Sequence, residues 1–168
     1  MFRQLFQAAA LICITALPTY AADIPTPEGD VILTVSGPLK STNVENTAQF
    51  DMEMLQSLDT TTFKTSTIWT EGNHLFEGVS LAKLVEHLGI EGESLQATAI
   101  NDYAVEIPLE DAVEDGPIIA YKMDGETMSL RDKGPLWIVY PFDTNSSYST
   151  EMTYARSIWQ LDRIEVLD

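Results

Sequence analysis

The chain has 168 residues, 26 of them Asp or Glu and nine Lys or Arg, and carries a formal charge of -17. That length suits one domain and is short for two, and 45% hydrophobic with 21% charged residues excludes a disordered or fibrous chain. The acidity argues against a nucleic-acid partner, because phosphate backbones attract basic surfaces, and the lone Cys13 rules out an internal disulfide framework or a cysteine-based zinc cluster.

Residues 1–21 read as a secretory signal. Arg3 is the positive charge near the start, an apolar run follows from Ala8 to Leu17, and Pro18 precedes Thr19-Tyr20-Ala21, whose small end residues suit a signal peptidase. A retained membrane anchor is the alternative, but a spanning helix needs about 20 apolar residues. Lipid attachment at Cys13 is set aside because Ala10, not Leu, lies three residues before it and the apolar run continues past it. Cleavage after Ala21 leaves residues 22–168 as the mature domain, without a thiol, and implies a periplasmic location.

Residues 22–30 carry two prolines and a glycine and read as an extended entry arm. Alternation over Val31–Ser36 predicts a strand, stopped by Gly37-Pro38. Phe50–Leu58 has Met54, Leu55 and Leu58 at helical spacing, with Asp51 as the cap. Thr and aromatic residues over Phe63–Trp69 predict a strand. The clearest helix is Leu81–Leu88, with Leu81, Leu84, Val85 and Leu88 on one face, Ser80 as N-cap and Gly89 as the stop. His87 lies beside that face and reads as solvated.

Leu95–Ile100 and Tyr103–Ile107 predict strands around Asn101-Asp102, and Leu109–Glu114 a short helical turn. Ile118–Met123 and Thr127–Leu130 flank Asp124-Gly125, a strong hairpin signal. Leu136–Tyr140 is continuously apolar between Pro135 and Pro141 and predicts a buried strand. Phe142–Thr153 is polar and reads as a long loop. Ile158–Val166 closes the domain, with Leu161, Ile164 and Val166 as core. The whole is an α+β, largely β single domain with a few short helices.

Several chemistries fail their tests. Asp111–Lys122 has Gly116 where a calcium loop needs it, but Val113 and Lys122 stand at positions that need oxygen ligands. Asp143–Tyr154 lacks the glycine and ends in Tyr. His74 and His87 have no metalloprotease context, and no phosphate-binding, dinucleotide or nucleophile-elbow motif is present. Asn145-Ser146-Ser147 is a chance-level glycosylation match. The acidity is a solubility feature or an attraction for a cationic partner surface.

What stands out is a set of polar and aromatic residues at strand ends and loops: Trp69, Thr70, Asn101, Asp102, Tyr103, Tyr148, Arg156 and Trp159. A planar heterocycle needs flat side chains to stack on and a carboxylate or amide for its ring N–H groups, which Asp102 or Asn101 supplies. Each also has a structural reading: Asn101-Asp102 as a turn, the tryptophans as core, Arg156 as an ion-pair partner.

Five segments in order carry a resemblance. They are Phe76-Glu77-Gly78-Val79-Ser80-Leu81 with Leu84-Val85; Asn101-Asp102-Tyr103-Ala104-Val105-Glu106-Ile107-Pro108; Asp124-Gly125-Glu126 with Leu130; Lys133-Gly134-Pro135-Leu136-Trp137-Ile138-Val139-Tyr140-Pro141; and Arg156-Ser157-Ile158-Trp159-Gln160-Leu161 with Ile164-Glu165-Val166. Together they resemble the molybdopterin-binding domain of the sulfite-oxidase-like family over residues 30–167. That resemblance implies the family's fold and a pterin pocket. It also marks a departure: the family's molybdenum enzymes carry a metal-ligating cysteine in the stretch that here reads Phe63–Thr70 and holds only hydroxyls, poor ligands for a soft metal centre. Molybdenum is therefore not expected.

A small exported subgroup without the cysteine, ending similarly to Arg156–Leu161, implies a non-enzymatic role. The role this resemblance implies is to bind a free pterin in the periplasm and relay its availability to an inner-membrane signalling protein, such as a cyclic-di-GMP-metabolising enzyme or a histidine kinase. On that reading Trp69 and Trp159 stack, Asn101 and Asp102 bond the pyrimidine edge, and Tyr103, Tyr148 and Arg156 line the pocket or hold its loop. The rivals are a molybdopterin-dependent oxidoreductase lacking the cysteine ligand and an interaction module with an empty pocket.

Overall fold

The computed structural model describes residues 24–168; the signal-segment reading of residues 1–21 lies outside them. Two five-stranded sheets enclose the core. The first begins with β1 (Leu33–Ser36), which buries Leu33 and Val35 and turns Thr34 and Ser36 outward. β2 (Ala48–Phe50) returns antiparallel on it, with Leu33 opposite Phe50. The closing strand β10 (Leu161–Leu167) inserts beside β1 in parallel register and buries Leu161, Ile164 and Val166, the core residues expected of it. β5 (Ser94–Ala99) and β6 (Ala104–Pro108) complete the order β2-β1-β10-β5-β6.

The second sheet is built from β3 (Thr60–Ser66), β4 (Asn73–Ser80), β7 (Ile118–Met123), β8 (Glu126–Thr127) and β9 (Trp137–Val139), with both β8 and β9 pairing β7. β9 is fully buried, as its unbroken apolar run implies. Gly78 sits where β4 shifts register against β7, and a Cβ there would lie 2.2 Å from the Ile119 carbonyl oxygen. Only a residue without a side chain permits that approach.

Three short helices attach to the sheets. α1 (Met52–Ser57) starts where Asp51 accepts a bond from the Met54 N–H at 2.8 Å. The same carboxylate accepts from the Glu28 and Gly29 N–H groups at 2.9 and 2.8 Å, so the cap also ties down the entry arm. α2 (Leu81–Leu88) buries Leu81, Leu84 and Leu88, each contributing about 2 kcal/mol. It stops at Gly89 in the left-handed region at φ 59°, whose N–H caps the last turn. Ser80 occupies the N-cap position expected of it and is also the last residue of β4, but makes no side-chain cap bond. α3 (Glu151–Arg156) is capped by Thr150, whose hydroxyl accepts from the Thr153 N–H. No helix among the described residues is long and apolar enough to cross a membrane.

The differences from the sequence reading are local. β3 begins at Thr60 and ends at Ser66, so Trp69 lies in the turn beyond it, which Thr67 and Thr70 close through their hydroxyls at 2.8 Å. β2 and β4 were not expected. The segment Phe142–Thr153 holds a 3-10 turn at Ser146–Tyr148 and the start of α3, rather than loop throughout. Leu130 starts a 3-10 turn and does not extend the hairpin.

Asp51 makes a stability prediction. Its carboxyl is held below the ordinary 3.8, first by the Gly29 N–H and then by the Met54 and Glu28 N–H groups. A lowered folded value means stability is fully present above the unfolded value and is lost as pH falls through the folded one. Urea midpoints measured between about pH 5 and pH 2 should therefore fall for the native chain, and Asp51→Asn should flatten that slope. Parallel slopes would show that Asp51 does not contribute.

Candidate functional site

An open cleft of about 380 Å³ lies at one end of the two sheets, lined by Trp69, Ala99, Asn101, Tyr103, Tyr154, Ala155 and Ser157–Gln160. Three separate pieces of chain build it. The turn after β3 supplies Trp69, the end of β5 and the β5–β6 connection supply Ala99, Asn101 and Tyr103, and α3 with the segment leading into β10 supplies the rest.

Trp69 is the hub of its wall. Its ring meets Trp159 at 5.4 Å, Tyr154 and Trp137 at 5.9 Å and Phe142 at 6.4 Å between centroids, all edge-on. Edge-to-face packing of this kind fixes the rings of the wall against one another. Beneath it Trp137 is fully buried and donates its indole N–H to the Ser157 hydroxyl at 3.1 Å, which donates in turn to the Ile138 carbonyl at 2.6 Å. Lys133 places its ammonium 5.6 Å from the Trp137 ring and 5.7 Å from the Trp159 ring, a cation–π arrangement on the same cluster.

No charged side chain lines the cleft. Its polar groups are amides, hydroxyls and indole N–H groups. The Asn101 carbonyl oxygen accepts from the Tyr103 N–H, while its NH2 bonds no described residue. Gln160 donates its NH2 to the Leu130 carbonyl at 2.6 Å, and its side-chain oxygen has no partner among the described residues. The Asn101 NH2 and the Gln160 side-chain oxygen thus leave both donor and acceptor capacity at the cleft wall, beside the Tyr103 and Tyr154 hydroxyls, which bond no described residue.

Of the residues singled out in the sequence, the structure brings Trp69, Asn101, Tyr103 and Trp159 together. The other four lie elsewhere. Asp102 occupies the left-handed corner of the β5–β6 turn at φ 64°, which sends its side chain out to pair with Arg163 beside Gln96 and Thr98. Asn101 lines the cleft and Asp102 does not. Thr70 is spent on its turn with Thr67. Tyr148 packs on Tyr140 at 5.7 Å. Arg156 takes its structural reading: its guanidinium donates to Asp111 at 2.8 Å, on the same oxygen that accepts the Tyr140 hydroxyl at 2.7 Å. Burial, and then that bond to Asp111, push the Tyr140 phenol well above the ordinary tyrosine range. Tyr154 and Gln160 were not among the expected site residues: Tyr154 falls just past the segment read as loop, and Gln160 was marked only as part of the closing Arg156–Leu161 resemblance.

These observations meet three comparisons with known proteins. The family profile described as the oxidoreductase molybdopterin binding domain matches residues 32–166. The chain belongs to that family. Among solved structures it is similar to the sulfane dehydrogenase SoxCD from Paracoccus pantotrophus, with a TM-score of 0.60 and 19% identity over 81% of this chain. It spans only 38% of that chain's length, so the likeness establishes the sulfite-oxidase-like fold. No curated protein matches.

The family raises the molybdenum cofactor, and the residues present do not fit all of it. The rings and amides of the cleft fit the flat heterocycle. A metal held by protein thiolate does not find its donor, since the described residues include no cysteine and no cluster of three His, Cys, Asp or Glu side chains. A phosphate does not find a cation among the lining residues.

Proposed function

We propose that this chain is a periplasmic binding protein for a free pterin, and that it relays pterin availability to an inner-membrane signalling protein without itself catalysing a reaction. The observation that carries the reading is the uncharged aromatic cleft, with Trp69 and Trp159 as stacking rings and Asn101 and Gln160 as the polar edge. The N-terminal sequence supports export, and the charge of -17 suits docking on a basic sensor surface. Any relay requires that the ligand favour one of two states of the protein or its complex, since equal affinity for both shifts nothing.

Isothermal calorimetry with a reduced pterin tests the binding step. A one-to-one isotherm is the expected result, and the absence of heat together with unchanged tryptophan fluorescence defeats it. The family description keeps a second reading, a molybdopterin-dependent oxidoreductase lacking the cysteine ligand. Metal analysis of the natively exported protein separates the two, because molybdenum near one equivalent favours the enzyme.

A further inference from the structure

Arg156 poses a question for ligand choice. It lies between Ala155 and Ser157, both of which line the cleft, yet it is absent from the lining itself. Its side chain is 22% exposed and that of Asp111 16%, so the pair is largely shielded from solvent, where charges compensate strongly. Asp111 comes from the 3-10 turn Leu109–Asp111 after β6, a different element from α3, and Tyr140 after β9 fixes the carboxylate from a third side. Three elements therefore converge to hold the one cation on the α3 wall against an anion.

We infer that Asp111 is a specificity-determining residue: by neutralising Arg156 beside the cleft, it makes the site select an uncharged ring over the same ring bearing a phosphate. The inference rests on the pterin reading and adds the ligand's charge class to it. A phosphate brought to the cleft meets no free cation on α3, and the ammonium of Lys133 is placed over the Trp137 and Trp159 rings. Around it stands a strongly acidic molecule, whose summed field repels anions. An unmodified ring meets only aromatic faces and amides and suffers neither penalty. Asp111 acts through Arg156 and does not itself touch the ligand.

The probes are neopterin and neopterin monophosphate, titrated by calorimetry into the full mature chain and its variants. The wild type is expected to prefer neopterin by at least about tenfold. Asp111→Asn keeps an oxygen for the Tyr140 hydroxyl and removes the charge, so it should narrow the preference to about threefold or less, chiefly by tightening the monophosphate. Arg156→Gln leaves Asp111 unbalanced and should widen the preference, a direction that mere loosening of α3 does not produce. Melting curves confirm that each variant is folded. A wild type that binds neither probe sinks the pterin reading and this inference with it. Neopterin binding with an unchanged preference in both variants overturns this inference alone.

Discussion

Replacing Trp137 with alanine is expected to cost about 4 kcal/mol of stability, the largest effect of any single truncation in this molecule. Trp137 has no exposed surface and is the first residue of β9, paired with Ala120 of β7. Its ring meets Phe76 at 5.4 Å and Trp69 at 5.9 Å, and its indole N–H is bonded to Ser157. Truncation leaves a cavity that surrounding strands cannot fill, because β9 is pinned on one side by β7 and on the other by the Trp159 bridge. A domain of this size has roughly 5–15 kcal/mol in total, so the variant should be marginal at room temperature. Urea denaturation measures it. A loss below about 1.5 kcal/mol would mean that the aromatic cluster collapses to fill the space and is far softer than its contacts imply.

Trp69→Ala should divide binding from stability. Trp69 is only half-buried and sits in a turn outside any strand, so its loss is expected to cost about 2 kcal/mol, half that of Trp137. Pterin affinity should fall by about 10- to 100-fold, the usual value of one ring stacked on an aromatic side chain. Trp69→Phe should recover most of it. Paired calorimetry and denaturation read both quantities. If Trp69→Ala binds a pterin as tightly as the native chain, the ligand does not occupy this cleft.

The parts of the fold legible in the sequence are those with a local cause. Helix α2 follows from Leu81, Leu84 and Leu88 at helical spacing and from Gly89, where the left-handed backbone favours a residue without Cβ. Asp51 announces α1 because a carboxylate before an apolar run satisfies orphaned N–H groups. β9 is legible because a strand buried on both faces needs apolar residues throughout. The missed elements lack such causes. β4 begins exposed and ends buried on both faces, so Asn73–Ser80 shows neither alternation nor an apolar run. α3 has a single fully buried residue, Thr153, and hence no apolar stripe; Thr150 capping and the Asp111–Arg156 pair hold it instead.

The site divides in the same way. Composition by itself determined that residues 22–168 bring no thiol to any cavity, because residue types are chemistry and do not depend on the path of the chain. Which of those residues face the cleft was decided only by tertiary structure. Asn101 and Asp102 are neighbours, yet Asn101 lines the cleft while Asp102, at φ 64°, pairs with Arg163. Arg156 has cleft residues on both sides of it in the chain, and a carboxylate 45 positions away holds it back. Long-range pairing of this kind leaves no trace in local spacing, since the energy that fixes it comes from elements that meet only when the sheets close.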